Sequence, residues 1–188
     1  MPKVQVGSTL DVHQLTAIDG TIVSVPDAAA VVHLQLLRFA GCPICHLHVH
    51  QLARRHDEIR AAGIREVAVF HSEPALLRKY QNDLPFDVIG DPEKRLYSQL
   101  GVETSVRSVL HPRTLARGFV GLTKGASFQA GVTAPENRFS RPADFLIGAD
   151  GTVLAAKYGR QADDHWSVDE LLAIAAGEVS GRPGNNTP

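Results

Sequence analysis

Sulfur is scarce in this chain of 188 residues: there are two cysteines, and Met1 is the one methionine. Aromatic residues make up only 6%. Charge of neither sign prevails, since 19 Lys and Arg face 20 Asp and Glu for a formal net charge of −1. That balance offers no basic stripe for nucleic acid and no face for an anionic membrane. No apolar run approaches the roughly 20 residues of a spanning helix. The opening segment Met1-Pro2-Lys3-Val4-Gln5-Val6-Gly7 has no apolar centre of signal-peptide length, so a cytoplasmic setting is expected. P-loop, GxGxxG, GxSxG and HExxH patterns are absent as well, which removes the common nucleotide, serine-hydrolase and zinc-protease signatures.

What remains is an ordinary globular composition, 44% hydrophobic and 21% charged, in a chain long enough for one well-filled core. Leu10 to Val25 reads as two strands around the turn dipeptide Asp19-Gly20. Residues 31 to 39, VVHLQLLRF, form the first strongly apolar strand. Helical spacing runs from Pro43 to about Ala62, closed by Gly63. Strands are expected at 66 to 70 and 86 to 89, and a short helix at 74 to 82. Asp91-Pro92 marks a cap and first turn for a helix to about Leu100, which Gly101 ends. Residues 144 to 158 read as two strands around Asp150-Gly151, followed by an amphipathic helix from Val168 to Ala176. Strands alternating with helices argue for an α/β layered fold with a mixed sheet. Residues 1–176 are expected to form one domain with an insertion at about 103–140, carrying a weak helical stretch near Arg113 to Phe119. The polar tail 177–188 is expected to be flexible.

The two cysteines stand together as Cys42-Pro43-Ile44-Cys45, where an apolar strand gives way to a helix. Unpaired backbone N–H groups and the partial positive charge of a helix N-terminus favour a thiolate there. Proline inside the first turn loses no hydrogen bond. On this reading Cys42 is an exposed nucleophile of low pKa, and Cys45, one turn further in, is the resolving thiol. Other readings compete with it. A close pair of cysteines can simply pack. Cys42 to His46 satisfies the c-type haem signature, although the usual distal methionine is missing. Zinc is a further candidate, because His46, His48 and His50 follow at once. On a helix His46 and His50 share a face and His48 points elsewhere, so the set conceived for an ion is Cys42, Cys45 and His46. Arg38 and Arg141 are candidates to lower the thiol pKa by charge. His165 and Trp166 read as capping or packing residues. Arg107, His111, Arg113 and Arg117 are candidates for an anionic substrate or glutathione, against a plain solvated face.

Three further segments carry a family resemblance. Leu84-Pro85-Phe86-Asp87-Val88-Ile89-Gly90-Asp91-Pro92-Glu93-Lys94-Arg95-Leu96-Tyr97, then Gly101-Val102, is one. Arg141-Pro142-Ala143-Asp144-Phe145-Leu146-Ile147 with Asp150-Gly151-Thr152-Val153 is the second, and the hairpin Asp11 to Val25 the third. Together with the dithiol they resemble the peroxiredoxin branch of the thioredoxin superfamily, the alkyl hydroperoxide reductase/thiol-specific antioxidant (AhpC/TSA) group. The resemblance implies a thioredoxin-like α/β fold with a central mixed sheet, flanking helices and an N-terminal hairpin. It places Pro142 at the cis-proline that packs against the dithiol, and Arg141 beside it.

The same resemblance implies a thiol oxidoreductase in which Cys42, Cys45, Arg141 and Pro142 form the site, with no cofactor and no bound metal. Its substrates would be a peroxide or a disulfide, its partner an external thiol reductant, and a homodimer fits the family. Typical peroxiredoxins carry a hydroxyl residue three positions before the reactive cysteine and a proline seven before it. Here Phe39 and Gln35 stand there relative to Cys42, and Cys42 and Arg38 relative to Cys45. Disulfide exchange is therefore favoured over peroxide reduction. A zinc protein built on Cys-x-x-Cys-His and a thioredoxin-fold interaction module without turnover are the alternatives.

Overall fold

The structure, a computed structural model, describes residues 2–10, 13–102 and 140–177. The helical stretch expected at Arg113 to Phe119, the Arg107, His111, Arg113 and Arg117 group, and the tail beyond Gly177 lie outside the described residues. Two strands open the chain, β1 (His13–Thr16) and β2 (Ile22–Val25), paired antiparallel as a separate hairpin. The turn between them works as its sequence demands: Gly20 takes φ +93°, and the Asp19 carboxylate accepts from the Thr21 N–H at 2.9 Å.

Five strands make the central sheet: β3 (Val31–Leu36), β4 (Ile64–Phe70), β5 (Asp87–Gly90), β6 (Ala143–Ile147) and β7 (Val153–Tyr158). Their order is β5-β4-β3-β6-β7, with the first three mutually parallel and β6 and β7 antiparallel. The sheet is thus mixed, as expected. The helices are α1 (Pro43–Arg54), α2 (His56–Ala61), α3 (Pro74–Gln81), α4 (Arg95–Gln99) and α5 (Val168–Ala175). Among the described residues no helix is long and apolar enough to cross a membrane.

Two helix boundaries differ from expectation for local reasons. The single helix expected from Pro43 to Ala62 is two, because Arg55 leaves helical geometry at φ −115°, ψ 20°. Its guanidinium is held by Glu58 and by Asp169 of α5, each at 2.7 Å. Gly63 does end the second of them, at φ +74°. Helix α4 starts three residues later than Asp91-Pro92 suggests. Lys94 takes a left-handed φ of 55°, and the Asp91 carboxylate reaches past it to cap the N–H groups of Arg95 and Leu96, both at 2.9 Å.

Alternation along the central strands sorts side chains onto two faces. Val32, Leu34 and Leu36 join Val67, Val69, Phe145 and Ile147 on one face, covered by the hairpin residues Val23 and Val25 and by Leu96, Tyr97 and Leu100 around α4. On the other face, Leu37, Ala68, Phe70 and Val88 pack against Ile44, Cys45 and Val49 of α1 and Leu77 of α3. Leu146, Trp166, Val168 and Leu171 extend that layer towards α5, which a Ser167–Glu170 capping box starts. The cysteines therefore belong to a helix packed on the sheet beyond the C-terminal end of β3.

Candidate active site

Helix α1 begins where the spacing predicts. Cys42 is its N-cap in extended conformation, Pro43 follows inside the helix, and Cys45 lies one turn in. Both cysteines are free thiols. The Cys42 sulfur receives the Cys45 backbone N–H at 3.5 Å and the Arg38 Nη1 at 3.5 Å. Its own N–H donates to the Phe39 carbonyl at 3.0 Å, which fixes the tight passage from strand to helix.

The two thiols are driven apart in acidity. Burial acts most strongly on Cys42 and pushes its thiol up. The hydrogen bond from Cys45, the Arg38 charge and the backbone N–H groups of Cys45 and Ile44 together outweigh it and bring the thiol down to about 6. Cys45 moves the other way, held well above the ordinary thiol range by burial, by the hydrogen bond to Cys42 and by the negative charge of Cys42. A thiolate and a protonated thiol side by side are what attack and resolution require.

Cys42 is not exposed, contrary to the expectation: it and Cys45 are each about 1% accessible. The side chains of Phe39, Ala40 and Ile44 gather around the dithiol in the same apolar cluster, because the cap residue turns inward beneath the strand end. The last paired positions of β3 and β6 are Leu36 and Ala143, so Arg141 and Pro142 enter β6 at the end of the sheet where β3 runs out towards the cysteines. Pro142 is buried and Arg141 partly so. Among the described residues the one cis peptide bond joins Val25 and Pro26, so the cis geometry expected at Pro142 is not there. Pro142 instead leads directly into β6, and its carbonyl accepts the Gly159 N–H at 2.8 Å. A groove of about 560 Å³ lined by His56, Arg60, Phe86 and Asp87 lies at the opposite end of the parallel strands and contains none of these residues.

The histidines of α1 divide as their spacing predicts. His46 and His50 are neighbours, with ring centroids 4.1 Å apart, whereas His48 stacks on His165 at 4.3 Å. Among the described residues the metal-competent convergence is His48, Asp144 and His165. The set Cys42, Cys45 and His46 does not converge.

Sequence reasoning missed two groups. One is a polar network inside the sheet: His33 bonds Glu66 at 2.9 Å, Gln35 bonds Glu66 and, at 2.6 Å, His48, and His165 bonds Asp144 at 2.9 Å. Its one signal was the polar alternation of His33 and Gln35 within an otherwise apolar strand. The other is His71, 1% accessible, with both ring nitrogens unpartnered. It lies between the rings of Phe39 and Tyr97. Burial first, then the charges of Lys94 and Arg38, lower it to about 3.

Residues 51–161, more than half of the chain, match the family model described as AhpC/TSA antioxidant enzyme. The chain belongs to the AhpC/TSA family. The match begins six residues beyond Cys45, so membership rests on the sheet and helices and not on the dithiol. No curated protein matches the sequence. Among solved structures, peroxidoxin BcpB from Mycobacterium tuberculosis superposes with a TM-score of 0.66 at 15% identity, over 93% of this chain and 98% of that one. A peroxiredoxin 6 of Arenicola marina gives 0.70 at 12% identity, over 97% and 81%. A putative thiol:disulfide interchange protein DsbE from Chlorobium tepidum gives 0.55 at 19% identity, over 93% and 99%. These likenesses establish the thioredoxin-like fold. With the family match they put this AhpC/TSA member in the peroxiredoxin/thioredoxin-like oxidoreductase class.

Proposed function

We propose that this AhpC/TSA protein reduces small peroxides through a Cys42–Cys45 dithiol. The observation that carries the reading is the opposed acidity of two adjacent thiols, with Arg38 at 3.5 Å from the one that ionises. The Cys42 thiolate attacks the OH-bearing peroxide oxygen, the O–O bond breaks, and the alkoxide or hydroxide that leaves takes up the proton Cys42 released on ionising. Cys42 becomes a sulfenic acid. The Cys45 sulfur then attacks the Cys42 sulfur, water leaves, and a Cys42–Cys45 disulfide remains. Two electrons from an external dithiol restore the reduced pair.

Burial reverses the order of substrates expected from sequence. A sulfur about 1% accessible is reached by a molecule of two heavy atoms with far less displacement of its neighbours than by a peptide disulfide. Disulfide exchange is the second reading, favoured by Phe39 where the family places a hydroxyl. In that cycle the Cys42 thiolate displaces one thiolate from the substrate, and Cys45 displaces the other. On both readings Arg141 and Pro142, just before β6 and next to the end of β3, count as site residues, with Arg141 adding positive charge.

The test compares rates of dithiol oxidation in the reduced protein by hydrogen peroxide and by a small aromatic disulfide at one equivalent each. Faster reaction with peroxide supports the proposal. Faster reaction with the disulfide moves the protein to the exchange reading. Inertness to both leaves an interaction module without turnover.

A further inference from the structure

The face of the sheet beneath α1 holds polar atoms that no side chain satisfies. Asp144 Oδ2 and His165 Nε2 are both buried without a hydrogen-bond partner, although Asp144 is fully inaccessible and the His165 side chain 2% exposed. Native interiors rarely leave such atoms alone. The two residues stand with His48 in a cluster whose donor atoms all lie within 4.8 Å of one another. The nearby Lys157 ammonium is spent on the His165 carbonyl and on Asp164.

We propose that His48, Asp144 and His165 bind one divalent transition-metal ion of the zinc class, at a site separate from the dithiol. Two imidazoles and a carboxylate are the borderline nitrogen and oxygen donors this ion takes, and a water would complete four-coordination. The ion would replace the hydrogen bond that now joins His165 Nδ1 and Asp144 Oδ1 at 2.9 Å. The two donors would part to roughly 3.4 Å around a tetrahedral ion with bonds of about 2.1 Å. The unpartnered Oδ2 of the same carboxylate would gain the ion as a neighbour. The third donor needs a ring rotation. His48 and His165 now stack with planes 13° apart, and parallel rings cannot aim at a shared ion. Turning His48 gives up its bond to Gln35 Oε1, while Gln35 keeps Glu66 through its Nε2. His48 is the least buried of the three, so the ion and its water enter from that side.

The ligands come from α1, β6 and the turn before α5, so the ion would pin the helix that carries the cysteines to the sheet. Such binding does not depend on whether the dithiol turns over. The experiment loads the full chain with one equivalent of zinc and reads X-ray absorption at the metal edge, alongside Co2+ titration of a Cys42→Ser/Cys45→Ser variant. Expected are a nitrogen and oxygen shell with imidazole scattering and no sulfur, and saturable Co2+ binding without either cysteine. Adding His48→Gln is expected to weaken Co2+ at least tenfold. A sulfur shell, failure to retain zinc, or Co2+ affinity unchanged by His48→Gln would overturn the proposal.

Discussion

The Arg38 guanidinium reaches the Cys42 sulfur across four residues of chain, at 3.5 Å, from the last turn of backbone before the helix begins. Both side chains are buried, Arg38 at 3% and Cys42 at 1% accessibility, so their attraction is poorly screened by water. The strand end thus supplies the charge and the helix tip the N–H groups.

Removing that charge while keeping the aliphatic stem tests its part. Arg38→Met is expected to raise the Cys42 pKa by about one unit or more, because burial then acts with less opposition. The ultraviolet absorbance of the thiolate, followed against pH, reads this directly. An unchanged midpoint would show that the helix N-terminus and Cys45 suffice.

The two cysteines are expected to fail differently. Cys42→Ser abolishes attack on any oxidant. Cys45→Ser leaves attack intact and accumulates sulfenic acid with peroxide, or a mixed disulfide with a disulfide, both visible by mass spectrometry. Equal loss of attack in both variants contradicts the assignment of roles.

His71 makes the fold sensitive to acid. Its folded pKa lies below its unfolded value, so the neutral ring contributes stability that is present above about pH 6.5 and is lost as pH falls towards 3. Between pH 7.5 and 5 that loss is about 2 kcal/mol. His71→Phe fills the space between Phe39 and Tyr97 without unpartnered nitrogens. Urea unfolding of this variant is expected to show a weaker fall in stability over that range, with no loss at pH 7.5.

Close packing behind Pro142 gives a steric prediction. A Cβ at Gly159 would stand 2.5 Å from Pro142 Cγ and 2.8 Å from the Asp164 carbonyl. Gly159→Ala is therefore expected to cost about 2 kcal/mol, measured by denaturant unfolding. A neutral result would mean that Pro142 yields easily.

Much of this architecture was legible because local chemistry and tertiary demand agree. Asp19-Gly20 and Asp150-Gly151 turn where their residues favour turning, and Pro43 opens a helix. The residues missed are those where the two conflict. Nothing local says that His33, Gln35, Glu66 and Asp144 will meet inside a sheet; parallel and antiparallel pairing brings them together across 31 to 111 positions of chain. Burial of Cys42 was equally hidden, since a helix tip is normally open and only the packing of Phe39, Ala40 and Ile44 closes this one. The break at Arg55 depends on Asp169, more than a hundred residues away.

The most direct test of the dithiol is the pH dependence of its oxidation by one equivalent of hydrogen peroxide, read by mass spectrometry of the intact protein and of the peptide carrying both cysteines. The account predicts loss of two hydrogens within that peptide, with a rate that rises through a midpoint near pH 6, where Cys42 ionises. A rate that climbs only in the ordinary thiol range, or a protein that keeps both hydrogens, would contradict it.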